Sequence, residues 1–268
     1  MRYRFLLPML IFMAAFVVEP FGIAQDHQKG RAWEEIFLQA NQDYREGKFQ
    51  EAVNGYEHLI LSGHDGPQIQ YNLGNAHFRM NELGRAILAY ERARIAMPRD
   101  ADLNFNLAHA QDQVVDAISP SRGFFSMAFF WLPSVSAKEL FWCFSILNLL
   151  LWTALLIRLF HRSEWLFYTL LLVLCLWLVT GLSLGMKWAQ VHNDQRAVIL
   201  KKEVAVLAGP HEGDTTLFKL HEGAIVEQER SEDGWRLIRL PDKKRGWLPE
   251  GALEMINSDM AHAKPQSR

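Results

Sequence analysis

The stretch YNLGNAHFRMNELGRAILAYERARIAMP, residues 71–98, carries small and aromatic residues at fixed offsets. Moved back by 34 residues, it overlays FLQANQDYREGKFQEAVNGYEHLILSGH, residues 37–64. Such a period is typical of two-helix units that stack on copies of themselves. The equivalent pairs are Phe37/Tyr71, Ala40/Gly74, Asn41/Asn75, Tyr44/Phe78, Ala52/Ala86 and Tyr56/Tyr90.

The order of these residues resembles the tetratricopeptide repeat, whose units build an all-α solenoid. The resemblance covers residues 28–119 and places the small residues Gly74 and Ala86 where the two helices of one unit cross. Pro67 suits a first helical turn, and Pro98 closes the second unit. Two full repeats and one further helix form a minimal array, which we expect to depend on something else for stability.

The C-terminal region 196–257 has a different pattern, with short β-branched and apolar runs separated by Gly, Pro and Asp turns. This pattern predicts about five strands in a small all-β barrel. The order LHEGAIV, GWRLI and GWLPEGAL resembles a bacterial SH3 domain. Trp235 and Trp247 are candidates for its ligand face, with packing inside or at the rim of the barrel as the alternative. We expect a disordered tail at 258–268.

The N-terminus has the pattern of a signal peptide over residues 1–24, with an uncleaved membrane anchor as the alternative. Two apolar runs, at 140–160 and 165–186, are long enough to be transmembrane helices. Arg158 and Arg162 in the short connection favour the cytoplasmic side for it. Both flanking soluble domains would then lie on the opposite side of the membrane.

Polar and small residues within and beside these runs suggest further contacts. Asn148 lies in the middle of the first run and should seek a hydrogen-bond partner across a helix interface. Gly181 and Gly185 would allow two helices to approach closely. The linker 120–139 is dense in aromatic residues, which suits the membrane interface or an extension of the front domain's core.

The sequence contains no motif for catalysis. It lacks a His-Glu-x-x-His zinc site, a glycine-rich phosphate loop and a Cys-x-x-Cys pair, so we expect no catalytic residues, metal or cofactor. Cys143 and Cys175 both lie in apolar runs, which excludes a disulfide framework in the soluble regions. The net charge of −2 argues against binding to nucleic acid.

The predicted fold class is therefore multi-domain: an all-α tetratricopeptide-repeat solenoid, two transmembrane helices and a small all-β SH3-like barrel. This combination resembles the BatE-like proteins of bacterial aerotolerance operons. The resemblance implies a non-enzymatic scaffold in the bacterial inner (cytoplasmic) membrane, with both soluble domains on the periplasmic, extracytoplasmic side. It implies partners among membrane-anchored von Willebrand A-type proteins linked to a MoxR-type ATPase. The alternative is a cell-wall receptor whose SH3-like domain binds peptidoglycan.

In repeats of this family the first helix of each unit lines a concave face that binds partners. Aromatic rings beside amide groups suit an extended peptide or a partner helix. We expect Asn75 to be an exposed amide that contributes little to folding, whereas Phe78 packs internally and Phe37 could do either. The candidate partner-binding residues are Phe37, Asn41, Tyr44, Tyr71, Asn75, Arg79, Phe105 and His109.

Overall fold

The computed structural model describes residues 29–116, 129–161 and 163–257. Within these ranges the chain forms seven α-helices and seven β-strands. Several predicted features lie outside the described residues: the signal peptide 1–24, the first part of the linker (120–128), Arg162 and the tail 258–268.

The described chain falls into two compact units. One is a pair of apolar helices over residues 137–188. The other joins the helical domain (residues 32–116) and the β domain (residues 196–257), which flank the apolar pair in sequence. Two regions that the sequence presents as separate domains therefore form one unit.

The helical domain is a series of helices joined by short turns. Gly66 is extended and precedes Pro67, the first residue of the third helix, as predicted. The Asp100 carboxylate accepts a hydrogen bond from the Leu103 amide at 2.9 Å and caps the fifth helix. The helices are α1 Lys29–Arg45, α2 Phe49–Leu61, α3 Pro67–Arg79, α4 Leu83–Ala96 and α5 Ala101–Gln111.

Small residues sit where these helices cross. A Cβ atom at Gly74 would lie 2.6 Å from the Tyr90 ring and 3.2 Å from the Ala86 carbonyl, which confirms the predicted crossing of α3 and α4. A Cβ atom at Gly55 would lie 2.8 Å from the Ala40 Cβ, so the glycine inside α2 has a packing reason as well. Tyr90 is fully buried between neighbouring helices.

The β domain is one antiparallel sheet of seven strands rather than the five predicted, because short strands at both ends escape a pattern search. The sheet order is β3-β2-β6-β5-β4-β1-β7. Asp233 and Gly234 form the predicted hairpin turn between β4 and β5, both with positive φ, as such two-residue turns require. The strands are β1 Arg196–Ile199, β2 Glu203–Leu207, β3 Thr216–His221, β4 Ile225–Glu232, β5 Trp235–Arg239, β6 Arg245–Pro249 and β7 Leu253–Met255.

Helix α4 packs against the β domain and shares a hydrophobic core with it. Val198 of β1 and Ile256, just after β7, are buried in one cluster with Ile87 and Tyr90 of α4 and Leu103 of α5. The short helical array therefore shares a core with another part of the chain, which is the arrangement expected if the array depends on that part for stability. Burial of apolar surface on both sides contributes roughly 25 cal/mol per Å².

Two glycines allow α4 and the β domain to approach closely. A Cβ atom at Gly84 would lie 2.5 Å from the Ile199 carbonyl oxygen and 3.2 Å from the Leu200 Cα. Gly223 has a φ of +87°, and a Cβ atom there would lie 2.9 Å from the Ile87 Cδ1. At Gly84 the obstacle is backbone, which cannot rotate out of the way as a side chain can.

Charged groups on α4 complete the interface with the β domain. The Arg92 side chain donates to the backbone carbonyls of Met255 (2.8 Å) and Ile256 (3.1 Å) and pairs with Glu254 at 2.8 Å. Glu91 is buried, with 1% of its side chain exposed, and accepts hydrogen bonds from Arg94 and Arg196. Removing these partners would leave the charge of the buried carboxylate uncompensated, which strongly destabilises a folded protein.

Arg196 of β1 stays charged in this setting. Burial by itself would lower the pKa of its guanidinium, but the hydrogen bond to Asp194 and the charges of Glu91 and Asp194 raise that pKa instead. A further contact closes the other side of the interface: the Asp116 carboxylate accepts from the His221 backbone amide at 2.7 Å.

The second compact unit is an apolar helical hairpin. Helices α6 Ala137–Phe160 and α7 Glu164–His192 have 24 and 29 residues and are long and apolar enough to cross a membrane. They extend beyond the predicted spans 140–160 and 165–186. A Cβ atom at Gly181 would lie 2.9 Å from the Phe144 ring, so the two helices meet there through a side chain, whereas nothing lies within 4 Å at Gly185.

The interface glycine gives a first prediction. Gly84→Ala should lower the free energy of unfolding of the intact chain by about 1–3 kcal/mol, because the new methyl group overpacks against the Ile199 carbonyl. Alanine is the better helix former by about 1 kcal/mol, so a loss of stability cannot come from propensity. Thermal unfolding in detergent micelles measures the change. Gly251→Ala, where nothing lies within 4 Å, is the control; equal melting temperatures for all three proteins would contradict the interface.

A buried histidine gives a pH-dependent prediction. His77 is 3% exposed, and its Nδ1 lies 2.7 Å from a Glu82 carboxylate oxygen. Burial lowers the pKa of His77 below its usual 6.5, although Glu82 opposes the shift. The unfolded chain therefore takes up the proton first, and stability should fall as the pH drops below about 6.5 and on through the folded pKa. His77→Asn should make this loss smaller between pH 7.5 and 5.5; parallel stability curves would contradict the assignment.

Candidate functional site

A pocket of about 180 Å³ opens on the helical domain. It is formed by residues of α1, α2 and α3, all of them asparagine, tyrosine or arginine. Three of the predicted partner-binding residues line it, whereas the other three lining residues were not predicted. The lining residues are Asn41, Tyr44, Arg45, Tyr56, Asn72 and Asn75.

A hydrogen-bond network fixes the orientation of Asn41 in this pocket. The Asn41 Oδ1 accepts from the Tyr56 hydroxyl at 2.7 Å and from the Asn72 Nδ2 at 2.9 Å. Burial raises the pKa of Tyr56 to about 12, so its hydroxyl stays protonated and remains a donor at physiological pH. Because both donors bind the oxygen, the Nδ2 of Asn41 is directed away from them.

The same network recurs one unit later around Asn75. The Asn75 Oδ1 accepts from the Tyr90 hydroxyl at 2.7 Å and from the Asn106 Nδ2 at 3.0 Å. Asn106 also donates to the Tyr71 hydroxyl at 3.0 Å. Asn75, Tyr90 and Asn106 each lie 34 residues after their counterparts Asn41, Tyr56 and Asn72, so the sequence period corresponds to a repeated contact.

The network corrects the expectation for Asn75. Its side chain is half-buried and accepts two hydrogen bonds, so it is not the freely exposed amide that the sequence suggested. The error arose because the 34-residue alignment showed which residues are equivalent but not which donors surround them. The pairs Asn41/Asn75 and Asn72/Asn106 were visible in the sequence, and their shared period could have indicated a structural role.

The predicted aromatic residues divide into packed and exposed ones. Phe37 is half-buried with its ring 6.3 Å from Tyr56, which favours the internal role left open for it. Tyr44 is half-buried and meets Phe49 edge-on at 5.4 Å. Tyr71 is half-buried against Tyr90, at 6.1 Å.

Exposed rings lie on the last helix of the helical domain. Phe105 is 71% exposed and stacks on His109 with the ring centres 6.4 Å apart. His109 in turn lies 5.5 Å from Phe78, which is half-buried as expected. An aromatic side chain this exposed contributes little to folding and is available to a partner.

The two cations of this surface differ in their surroundings. Arg79 is exposed and places its guanidinium 4.5 Å from the centre of the Phe49 ring. Arg45 stands 34 residues earlier, is also exposed, and lines the pocket, where its guanidinium bonds to Gln42 of its own helix. The sequence pattern indicated Arg79 but not its counterpart Arg45.

The two tryptophans of the β domain have different environments. Trp247 is 6% exposed, and the Arg230 guanidinium lies 5.1 Å from its ring centre, so the packing alternative describes it better than a ligand face does. Trp235 is half-buried at the β4–β5 turn and keeps part of its ring in solvent. Of the two candidates, Trp235 remains the one that a ligand can reach.

Comparison with protein families identifies one region of the chain. Residues 200–254 match the model of the bacterial SH3 domain, in agreement with the β domain assigned from the sequence. Comparisons with curated proteins and with solved structures found no similar protein.

The asparagine network gives a third prediction. Asn75→Ala should destabilise the intact chain by about 1–3 kcal/mol, because the buried Tyr90 hydroxyl loses its acceptor. Adding Tyr90→Phe removes the stranded hydroxyl, so the double variant should lose less than the sum of the two single changes. Chemical unfolding of all four proteins measures this coupling. Strict additivity would show that the Tyr90–Asn75 bond does not stabilise the helical domain.

Proposed function

We propose that this chain is a non-enzymatic scaffold, anchored in a membrane, that binds partner proteins through its helical domain. The observation that carries the proposal is the pocket lined by asparagine and tyrosine side chains, whose asparagine–tyrosine hydrogen bond recurs in the next unit. Within it the Oδ1 atoms of Asn41 and Asn75 are occupied, which orients their Nδ2 groups as donors toward an incoming peptide. Paired amide donors beside aromatic rings bind the backbone carbonyls of an extended chain.

The helical domain is proposed to be a tetratricopeptide-repeat array. Support comes from the contact of Gly74 with Tyr90 and from two networks that recur with a period of 34 residues. The array is short, and the β domain replaces the missing repeats at its end by covering α4. On this proposal the exposed Phe105 extends the binding surface beyond the pocket.

The shared core supports a particular membrane topology. The helical and β domains flank the apolar hairpin in sequence, yet they pack against each other through α4 and β1. A hairpin that crosses the membrane twice returns the chain to the side from which it came, which allows this contact. Arg158, in the last turn of α6 beside the connection, and the expected signal peptide favour the extracytoplasmic side for both domains. We propose the bacterial inner membrane as its location, as the resemblance to BatE-like proteins implies.

The resemblance to BatE-like proteins suggests what the scaffold binds. Its partners would be membrane-anchored proteins of the von Willebrand A type, within an envelope complex linked to stress tolerance. Both the pocket and Phe105 would then face proteins that share the same membrane.

A cell-wall receptor is the second candidate, and the match of residues 200–254 to the bacterial SH3 domain favours it. Such domains often bind proteins or peptidoglycan. Here Trp235 offers the accessible ring, while β1 and β7 are covered by α4. Because Val198 and Ile256 belong to the shared core, the intact chain rather than an excised β domain is the proper test of wall binding.

Topology gives a fourth prediction. Alkaline phosphatase, which is active only after export, should be active when fused after Arg268 and inactive when inserted after Ser163. The reason is that both soluble domains should lie outside while the connection between α6 and α7 stays in the cytoplasm. Activity after Ser163 together with inactivity after Arg268 would invert the proposed topology.

Partner capture gives a fifth prediction. Arg45→Ala combined with Phe105→Ala should weaken the capture of membrane partners about tenfold or more, because both side chains are exposed and lie on the proposed binding surface. The matched control is Arg85→Ala with Leu61→Ala, which removes an exposed arginine and an exposed apolar residue outside the pocket. Quantitative pull-down of the intact chain from envelope extract provides the measurement.

The two double variants, together with Trp235→Ala, also distinguish the scaffold from the cell-wall receptor. If both double variants capture partners as strongly as the natural chain, the proposed binding surface is wrong. Sedimentation with purified peptidoglycan tests the alternative, with Trp235→Ala as the informative variant. The cell-wall receptor would be favoured if Trp235→Ala abolishes binding to peptidoglycan while Arg45→Ala with Phe105→Ala retains it.

A further inference from the structure

The apolar hairpin contains a strongly polar side chain that its own helices do not satisfy. Asn148 lies near the middle of α6 and is half-buried. Among the residues that the structure describes, no group forms a hydrogen bond with its side chain. A carboxamide has two donor hydrogens and an acceptor oxygen, and hydrocarbon offers none of them a partner.

Other polar side chains of the hairpin find partners within their own helix. The hydroxyls of Ser145, Thr153, Thr169 and Thr180 each donate to the carbonyl four residues earlier, at 2.8–2.9 Å. An asparagine side chain cannot do the same for all its polar atoms, because its amide hydrogens and its oxygen need partners of opposite kinds. Asn148 is therefore the residue of α6 that calls for a partner from outside its helix.

The second helix of the hairpin, α7, cannot provide hydrogen-bond partners for all the polar atoms of Asn148. Trp177 of α7 stacks on Phe144 at 5.3 Å, one turn before Asn148, and its buried Nε1 forms no hydrogen bond. An indole N–H is a single donor, so even a bond to the Asn148 oxygen would leave the amide hydrogens unpaired. The side of α6 next to Asn148 includes Phe141 and Leu149, which are 41% and 49% exposed.

We infer that Asn148 pairs with Asn148 of a second copy of this chain, so that α6 forms a membrane dimer interface. The inference rests on the proposed membrane insertion. Two copies with the same topology hold Asn148 at the same depth, and two carboxamides are self-complementary: each donates from Nδ2 to the Oδ1 of the other. A foreign helix would satisfy Asn148 only if it carried a polar residue at that depth, whereas a second copy always does.

Oxidative cross-linking of the intact chain in its membrane tests the interface. The background is Cys143→Ala with Cys175→Ala, which removes both exposed native cysteines. Ser145→Cys then places a thiol beside Asn148 on the helix, about 60° away, and Thr153→Cys places one about 140° away as the control. Both replaced hydroxyls bond only within α6 in the structure, so the two sites are matched.

We expect a disulfide-linked dimer from Ser145→Cys and little from Thr153→Cys. Adding Asn148→Leu should reduce the cross-link, corresponding to a dimer about 3- to 30-fold weaker for each hydrogen bond lost, whereas Asn148→Gln should retain it. A cross-link that Asn148→Leu leaves unchanged would overturn the inference. So would a cross-linked product of another mass, which would show that a different protein faces Asn148.

Alkaline extraction of the same membranes separates this inference from the proposed function. Protein that stays in the membrane pellet without a cross-link at Ser145→Cys would disprove the dimer alone. Protein that is released by the extraction would disprove the membrane anchoring as well.

Discussion

The contact between helix α4 and the strands β1 and β7 determines how the rest of this molecule is arranged. One side of α4 supplies Tyr90 to the asparagine network, and another meets the β domain through Gly84, Ile87 and Arg92. The helical array is too short to bury both faces of its last pair of helices, so the β domain takes the place of the next repeat. Each domain completes the other's core.

This shared core links the fold to the proposed function. Because the two domains flank the apolar hairpin in sequence, their contact requires that they lie on one side of any membrane the hairpin crosses. On the proposed function, the pocket would then lie on the same side of the membrane as partners anchored in that bilayer, and the shared core would give it a rigid support. Rigid support lowers the entropy lost when a partner binds. The β domain on this account is a structural element of the scaffold, which leaves Trp235 as its accessible aromatic candidate.

Much of this architecture could be predicted from local patterns in the sequence. The helical segments, the two apolar helices, the Asp233–Gly234 turn and the packing of Gly74 all depend on neighbouring residues or on a simple period. The role of Asn75 could not be predicted, because its donors Tyr90 and Asn106 come from two other helices. The contact of Gly84 with Ile199 was equally hidden, since more than a hundred residues separate them and no periodic pattern joins the two. Short strands such as β1 and β7 pair with each other, β1 also pairs with β4, and they adjoin the core shared with α4; none of these contacts is visible in the composition of the strands.

The most direct test of the shared core is hydrogen–deuterium exchange on the intact chain carrying Gly74→Leu. Leucine at this position collides with Tyr90 of α4, far in sequence from the β domain. If α4 and the β domain form one cooperative unit, amides of β1 and β7 should lose protection together with those of α3 and α4, while the apolar hairpin exchanges as before. Loss of protection confined to the helical domain, with β1 and β7 exchanging as in the natural chain, would contradict this account.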